Sequence, residues 1–172
     1  MAPSGALFFI VHFIDDGRNM WLFLQIREVW NVEISTKPLK DALEHLEINI
    51  GLVSSSLADA SPALRDTFRT ASIKSFEYCY SFSLKMIKRR LEERAAEPDL
   101  IEEASFRTFI RSAWEIGLVH DLEEWDRFRK LRNDTAHTYD ARQAEAVFQD
   151  LPKFVSAVKF LLAGLEVSAD AH

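Results

Sequence analysis

The stretch from Arg132 to Asp140 brings together side chains that could handle a phosphate group. Arg132 is followed five positions later by His137, Asn133 lies beside the arginine, and Tyr139 lies two positions past the histidine. Arginine is always charged and binds phosphate oxygens in a forked geometry, whereas histidine can accept or release a proton near neutral pH. A cation and a proton-transfer group suffice for RNA transesterification through the 2′-hydroxyl without a metal ion. Asn133 could orient the phosphate or the imidazole.

The spacing of these groups is unfavourable on a regular helix. Five residues correspond to about 500° of rotation, so Arg132 and His137 would not point to the same side. We therefore expect the helix to end or bend near Thr135, or a second chain to complete the site. The alternative interpretation is structural, because arginine, asparagine, aspartate and histidine are also common at helix ends.

The composition restricts the classes of protein to which the chain can belong. With 172 residues and ordinary apolar and charged fractions, the chain is expected to form one soluble domain. A formal net charge of -6 excludes an overall basic surface for nucleic acid, so any such contact must use a local patch. The single cysteine, Cys79, excludes an internal disulfide and a cysteine-based metal site, and it fits a reducing cytoplasm.

Residues 1–34 differ in character from the rest of the chain. Two apolar runs, at 6–14 and 20–26, flank an Asp-Gly pair, which favours a β-hairpin. The alternative is an upstream extension that follows from a misassigned start, with Met20 or a nearby site as the true beginning. A signal peptide is disfavoured because no basic residue precedes the first run, and neither run is long enough to cross a bilayer as a helix. We therefore divide the chain into an extension at 1–34, a domain at 35–166 and a tail at 167–172.

Helical periodicity begins at residue 35 and predicts five helices. The first has Pro38 in its first turn, the second spans about 63–96, and Ser105, Asp121 and Asp140 are predicted to cap the third, fourth and fifth. Short connections and the lack of a strand pattern after residue 34 predict an all-α, antiparallel up-and-down helical bundle. Apolar residues at helical spacing form the predicted buried stripes, which in the first and third helices comprise Leu39, Leu43, Leu46, Ile50, Val53, Leu57, Phe106, Phe109, Ile110, Ala113 and Trp114.

The last turns of the second predicted helix are basic. They carry Lys85, Lys88, Arg89, Arg90 and Arg94. We interpret this run as a solvated face that complements the negative end of the helix dipole. A patch that contacts phosphates is the alternative interpretation.

Four blocks of the sequence resemble a known protein family. Residues 74–80, 106–118, 124–125 and 132–140 are similar to the HEPN proteins that were once called nucleotidyltransferase substrate-binding proteins. Those proteins are the partners of minimal nucleotidyltransferases in bacterial and archaeal toxin–antitoxin pairs. The resemblance covers roughly 35–165, and the family motif of arginine, four residues, histidine, any residue and tyrosine is matched by Arg132, His137 and Tyr139.

The resemblance implies a five-helix bundle that dimerises with both copies of the motif facing a shared cleft. It implies a cytoplasmic, metal-independent endoribonuclease toxin that needs no cofactor, with an RNA substrate for which transfer RNA is one candidate. Arg132 would stabilise the phosphate transition state, His137 would transfer the proton, and Asn133 matches the polar position after the arginine. Tyr139 matches the tyrosine that the nucleotidyltransferase modifies with AMP to silence the toxin.

The chain departs from the family pattern at two places. The extension at 1–34 is not part of the pattern, and Leu84 stands where family members commonly have tryptophan.

A second hypothesis for the function is a non-catalytic module that docks a nucleotidyltransferase and presents a nucleotide or substrate to it. A third is an orphan domain whose partner has been lost.

Overall fold

A computed structural model of the chain describes residues 35–95, 101, 104–137 and 141–167. The helices with described bounds are α1 (Lys37–Val53), α2 (Ser56–Asp59), α3 (Pro62–Arg94), α4 (Phe106–Glu115), α5 (Leu122–Asp134) and α6 (Ala141–Val167), with a 3₁₀ turn at Thr135–His137 between the last two. These residues contain no strand, so the predicted all-α fold is confirmed for the described part of the chain. The hairpin or misassigned start at 1–34 and the cap predicted at Asp140 fall outside the described residues.

The ion pairs between α6 and α1 define the relative direction of these two helices. Lys159 Nζ lies 2.7 Å from Glu47 Oε1, and Glu166 pairs with Lys40, so later residues of α6 meet earlier residues of α1. These two helices are therefore antiparallel.

α6 and α3 run in the same direction. Arg69 of α3 pairs with Glu145 at 2.9 Å, and one α3 residue near the other end, Arg90, contacts the carbonyl of Leu165 at 3.0 Å. α3 and α5 are antiparallel, because Glu77 meets Arg132 whereas Tyr80, further along α3, faces the earlier residue Trp125. The longer helices α1, α3, α5 and α6 therefore alternate in direction, as an up-and-down bundle requires.

The core of the bundle is centred on a cluster of aromatic rings. The ring of Phe154 in α6 packs edge-on against Phe76 at 4.8 Å and Phe128 at 5.1 Å between centroids, and it is fully buried. Tyr80 and Trp125 complete the cluster at larger centroid distances. Because α3, α5 and α6 each contribute rings, this cluster fixes the spacing of the helices that surround the Arg132 region.

The predicted caps fix the start of α4 and α5. The side chain of Ser105 accepts a hydrogen bond from the backbone N–H of Thr108 at 3.2 Å, and Asp121 Oδ1 accepts from the N–H of Glu123 at 2.8 Å. α4 ends at Glu115, and the chain turns away at Gly117, whose φ of 78° is accessible to glycine without strain. α5, which carries the motif arginine, therefore has a defined beginning.

Two residues assigned to buried stripes are instead exposed. α1 ends at Val53, and the side chain of Ser55 caps a separate short helix, so Leu57 leaves the stripe and is 57% exposed. Trp114 is 51% exposed, because the buried face of α4 is formed by Phe106, Phe109, Ile110 and Ala113. The prediction that Leu57 and Trp114 belong to the core is wrong. α6 continues as a helix on both sides of Pro152.

Two cations of the basic run at the end of α3 are buried, which corrects the interpretation of the run as a solvated face. Lys88 and Arg90 are only 6% and 7% exposed. Arg90 donates from Nη2 to the carbonyl oxygen of Leu165, and Lys88 pairs with Glu92 at 3.5 Å. The Arg90 bond joins α3 to the end of α6, whereas the pair of Lys88 with Glu92 lies within α3. Lys85 of the same run is exposed.

Candidate functional site

The helix that carries Arg132 ends between the arginine and the histidine of the motif. α5 stops at Asp134, and Thr135–His137 forms a 3₁₀ turn. The prediction that the helix ends or bends near Thr135 is therefore confirmed. The change of helical type removes the fixed rotation that an unbroken α-helix would impose between Arg132 and His137.

Thr135 is the centre of the hydrogen bonds at this helix end. Its hydroxyl accepts from Arg132 Nη1 at 3.3 Å and lies near two acceptors, Glu77 Oε1 at 2.5 Å and the carbonyl oxygen of Arg132 at 2.8 Å. A hydroxyl has one hydrogen, so it donates to one of these acceptors at a time. Thr135 is 5% exposed, so its hydroxyl is paired away from solvent.

Glu77 links the site to α3. Its Oε1 lies 3.8 Å from Arg132 Nη1, and its Oε2 accepts a hydrogen bond from Lys74 Nζ at 2.7 Å. Burial favours the neutral acid, but the hydrogen bonds from Lys74 and Thr135 and the charge of Arg132 outweigh it, so the pKa of Glu77 lies below its ordinary value. Glu77 is therefore ionised at neutral pH and supplies a fixed negative charge beside Arg132.

The structure places only part of the predicted site. The side chain of Arg132 is 23% exposed, and Asn133 is exposed on the last turn of α5. The backbone of His137 closes the 3₁₀ turn. The side chain of His137 and the whole of Tyr139 lie outside the described residues.

The sequence alone does not identify Glu77 and Thr135 as residues of the site. Glu77 lies in the block 74–80 that carries part of the family resemblance, and Thr135 lies inside the motif. Both signals were available, but neither indicated a contact, because Glu77 and Thr135 are 58 positions apart and only the packing of α3 against α5 brings them together.

A depression on the described surface lies elsewhere, between α1 and α3. Its lining includes His45, Tyr78 and Phe82, and Tyr78 is 66% exposed. Within the described residues, no group of three or more histidine, cysteine, aspartate or glutamate side chains is placed to hold a metal ion. No described helix is both long and apolar enough to cross a membrane.

Comparison with known proteins gives a consistent result. The family described as "Nucleotidyltransferase substrate binding protein like" matches residues 35–167. A Haemophilus influenzae protein named "Probable ribonuclease HepT" is 38% identical over 108 residues, which cover 62% of this chain and 74% of that protein.

A solved structure from Haemophilus influenzae, described as the fold of a substrate-binding domain of a nucleotidyltransferase, is also similar. It superposes with a TM-score of 0.73 at 34% identity, over 77% of this chain and 99% of that one. The matched family residues include every described helix, together with Glu77, Arg132 and Thr135. The chain therefore belongs to the family of nucleotidyltransferase substrate-binding-like proteins.

Proposed function

We propose that this protein is the endoribonuclease toxin of a toxin–antitoxin pair, and that it cleaves RNA without a metal ion. The observation that carries the proposal is the break of α5 between Arg132 and His137, which frees the two groups from a fixed helical rotation. The name of the Haemophilus influenzae relative, a probable ribonuclease, supports the same reaction class.

In the proposed reaction, His137 accepts the proton of an RNA 2′-hydroxyl. The 2′-oxygen then forms a bond to phosphorus while the bond from phosphorus to the 5′-oxygen breaks, and water or a second copy of the motif supplies the proton that this oxygen takes up. The products are a 2′,3′-cyclic phosphate and a 5′-hydroxyl. Arg132 stabilises the extra negative charge on the phosphoryl oxygens, and Asn133 helps to orient the phosphate.

A homodimer would bring two copies of the motif to one cleft, and a nucleotidyltransferase would act as the antitoxin. Its reaction would join the phenol oxygen of Tyr139 to the α-phosphorus of ATP, with loss of the phenol proton and release of pyrophosphate. An adenylate beside the cleft adds bulk and negative charge where the RNA phosphate must bind, so it would block cleavage.

The test of catalysis is cleavage of total RNA and transfer RNA by the purified protein in EDTA, with analysis of the RNA ends. We expect 2′,3′-cyclic phosphate ends, no cleavage by His137→Ala, and a loss of about 100-fold or more for Arg132→Ala. His120→Ala and Arg107→Ala are matched controls, because they remove a half-exposed histidine and an exposed arginine that lie outside the motif. Cleavage that persists in His137→Ala would refute this mechanism.

The test of the silencing step uses the exposed Tyr78 as a matched control for Tyr139. A strain that expresses the protein together with the nucleotidyltransferase proposed as its antitoxin should grow, and Tyr139→Phe should restore growth arrest whereas Tyr78→Phe should not. Mass spectrometry should find AMP on a peptide that contains Tyr139. If Tyr139→Phe is still neutralised, the partner acts without modifying this residue.

A non-catalytic binding partner of a nucleotidyltransferase is the second candidate function. The description of the solved relative as a substrate-binding domain and the net charge of -6 favour it, since affinity for RNA usually depends on basic surface. This candidate predicts a stable complex with the nucleotidyltransferase and no RNA cleavage at any salt concentration.

A further inference from the structure

The contact between Glu77 and Arg132 has a geometry that is unusual for a stabilising ion pair. Nη1 and Oε1 are 3.8 Å apart, beyond hydrogen-bond distance, whereas arginine and carboxylate form their strongest pairs as two short parallel hydrogen bonds. The short contacts of Glu77 go instead to Thr135 at 2.5 Å and Lys74 at 2.7 Å. The carboxylate therefore attracts the guanidinium without binding it directly.

The hydroxyl of Thr135 connects the two charged groups. It accepts from Arg132 Nη1 at 3.3 Å and contacts Glu77 Oε1, so one edge of the guanidinium is tied to α3 through a single buried oxygen. Arginine has a long side chain with many rotamers, and a group that must meet a phosphate gains from being held in one position beforehand.

Lys74 holds the carboxylate in place from the other side. Its Nζ is bound to Oε2, so the two oxygens of Glu77 have separate partners, one in α3 and one at the end of α5. Two cations and one anion sum to a single positive charge, so these three side chains together remain attractive to a phosphate. A carboxylate bound to Arg132 alone would neutralise it.

We infer that Glu77 is the positioning residue for Arg132 and acts through Thr135, so that α3 sets the orientation of the guanidinium that meets the RNA phosphate. This inference deepens the proposed ribonuclease function and rests on it. Glu77 touches no substrate in this scheme, because its role is to hold the arginine.

The main test is a double-mutant cycle on RNA cleavage. Glu77→Gln keeps the size of the side chain but removes the charge, and it should lower kcat by about 10- to 100-fold with KM changed by less than about twofold. In the background of Arg132→Ala the same change should alter kcat by less than about twofold, because no guanidinium remains to be positioned. Losses that multiply in the double variant would overturn the inference.

Three further variants separate positioning from folding. Thr135→Val removes the bridging hydroxyl and should lower kcat as Glu77→Gln does, whereas Thr135→Ser keeps the hydroxyl and should restore most of the activity. Asp150→Asn is a matched control, because Asp150 also accepts a hydrogen bond from a lysine three residues away, at 2.9 Å. It should retain wild-type kcat. Equal loss of activity in Thr135→Ser and Thr135→Val would contradict a role for the hydroxyl.

A readout that does not depend on catalysis distinguishes failure of this inference from failure of the proposed function. If the wild-type protein does not cleave RNA, the ribonuclease proposal fails, and NMR of the arginine side chains still tests the position of Arg132. The Arg132 guanidinium, assigned by its absence in Arg132→Lys, should rotate slowly in the wild type and faster in Glu77→Gln. The exposed Arg107 should be unaffected. Unchanged rotation of Arg132 in Glu77→Gln would refute the inference.

Discussion

Arg90 of α3 donates a hydrogen bond from Nη2 to the carbonyl oxygen of Leu165, at 3.0 Å, near the end of α6. The last four carbonyl groups of a helix have no partner within it, and this one is satisfied by a side chain from a neighbouring helix. The bond joins the ends of two parallel helices and explains why a cation is buried at this position.

Replacement of Arg90 should destabilise the bundle. Arg90→Met keeps an unbranched side chain but leaves the Leu165 carbonyl without this donor, so we expect a loss of about 1–3 kcal/mol in the free energy of unfolding. Urea denaturation followed by circular dichroism measures it. Lys85→Ala, an exposed member of the same basic run, should change stability by less than about 0.5 kcal/mol. Equal effects of the two changes would mean that the Arg90 bond contributes nothing.

Phe154 should be the most sensitive position of the aromatic cluster. Phe154→Ala removes a fully buried ring that contacts rings of α3 and α5, so we expect a loss of about 3–5 kcal/mol in the free energy of unfolding. Phe160→Ala in the same helix is the control, because this ring is 44% exposed, and it should cost less than half as much. Thermal unfolding of both variants against the wild type tests this expectation.

The thiol of Cys79 should be unreactive in the folded protein. The residue is fully buried, and burial raises the pKa of the thiol to about 12, against a smaller opposite effect of a hydrogen bond with Ser83. Only the thiolate attacks alkylating reagents, so labelling by iodoacetamide at pH 8 should proceed no faster than unfolding. Rapid stoichiometric labelling in native buffer, measured by mass spectrometry, would show that the helices around Cys79 open readily.

The ionisation of Glu77 should make a measurable contribution to stability that depends on pH. A carboxyl whose folded-state pKa lies below its unfolded value stabilises the fold above the unfolded value, 4.5, and this contribution is lost as the pH falls through the folded-state pKa. The difference in unfolding free energy between wild type and Glu77→Gln, on the order of 1 kcal/mol at neutral pH, should therefore shrink in acid.

Lys74→Met provides the second arm of that experiment. It removes a hydrogen bond that lowers the pKa of Glu77, so the acid-dependent loss of stability should be smaller than in the wild type and should be complete at a higher pH. Arg132 and Thr135, which face Glu77 from the other side, are unchanged in this variant. A profile that coincides with the wild type would show that Lys74 does not act on Glu77.

Local signals in the sequence predicted most of the fold. The second predicted helix, 63–96, agrees with Pro62–Arg94 within two residues at each end, because Pro62 begins it and no other breaker follows before Pro98. Ser105 and Asp121 can be predicted as caps because their short side chains carry oxygens that accept hydrogen bonds from backbone N–H groups. Leu57 was misplaced because it continues the apolar spacing of α1, whereas the competing hydrogen bond of Ser55 ends that helix.

The site was less predictable than the helices, for a physical reason. The types and the spacing of the motif residues indicate which chemistry they could perform. The same spacing predicts the break of α5, because an unbroken helix would separate Arg132 from His137. The contacts of Glu77 depend on how two distant helices pack, which no pattern within either helix encodes. The roles of His137 and Tyr139 remain predictions.

The pairing of α1 with α6 has a consequence for how the chain acquires its structure during synthesis. α1 is the first and α6 the last of the described helices, and the central ring of the core, Phe154, belongs to α6. A nascent chain that ends before α6 would lack Phe154 and so leave Phe76 and Phe128 without the ring against which both pack. Closure of the bundle must therefore wait until the ribosome has released nearly all of residues 35–167, so a truncated product of this gene would not fold into a working fragment.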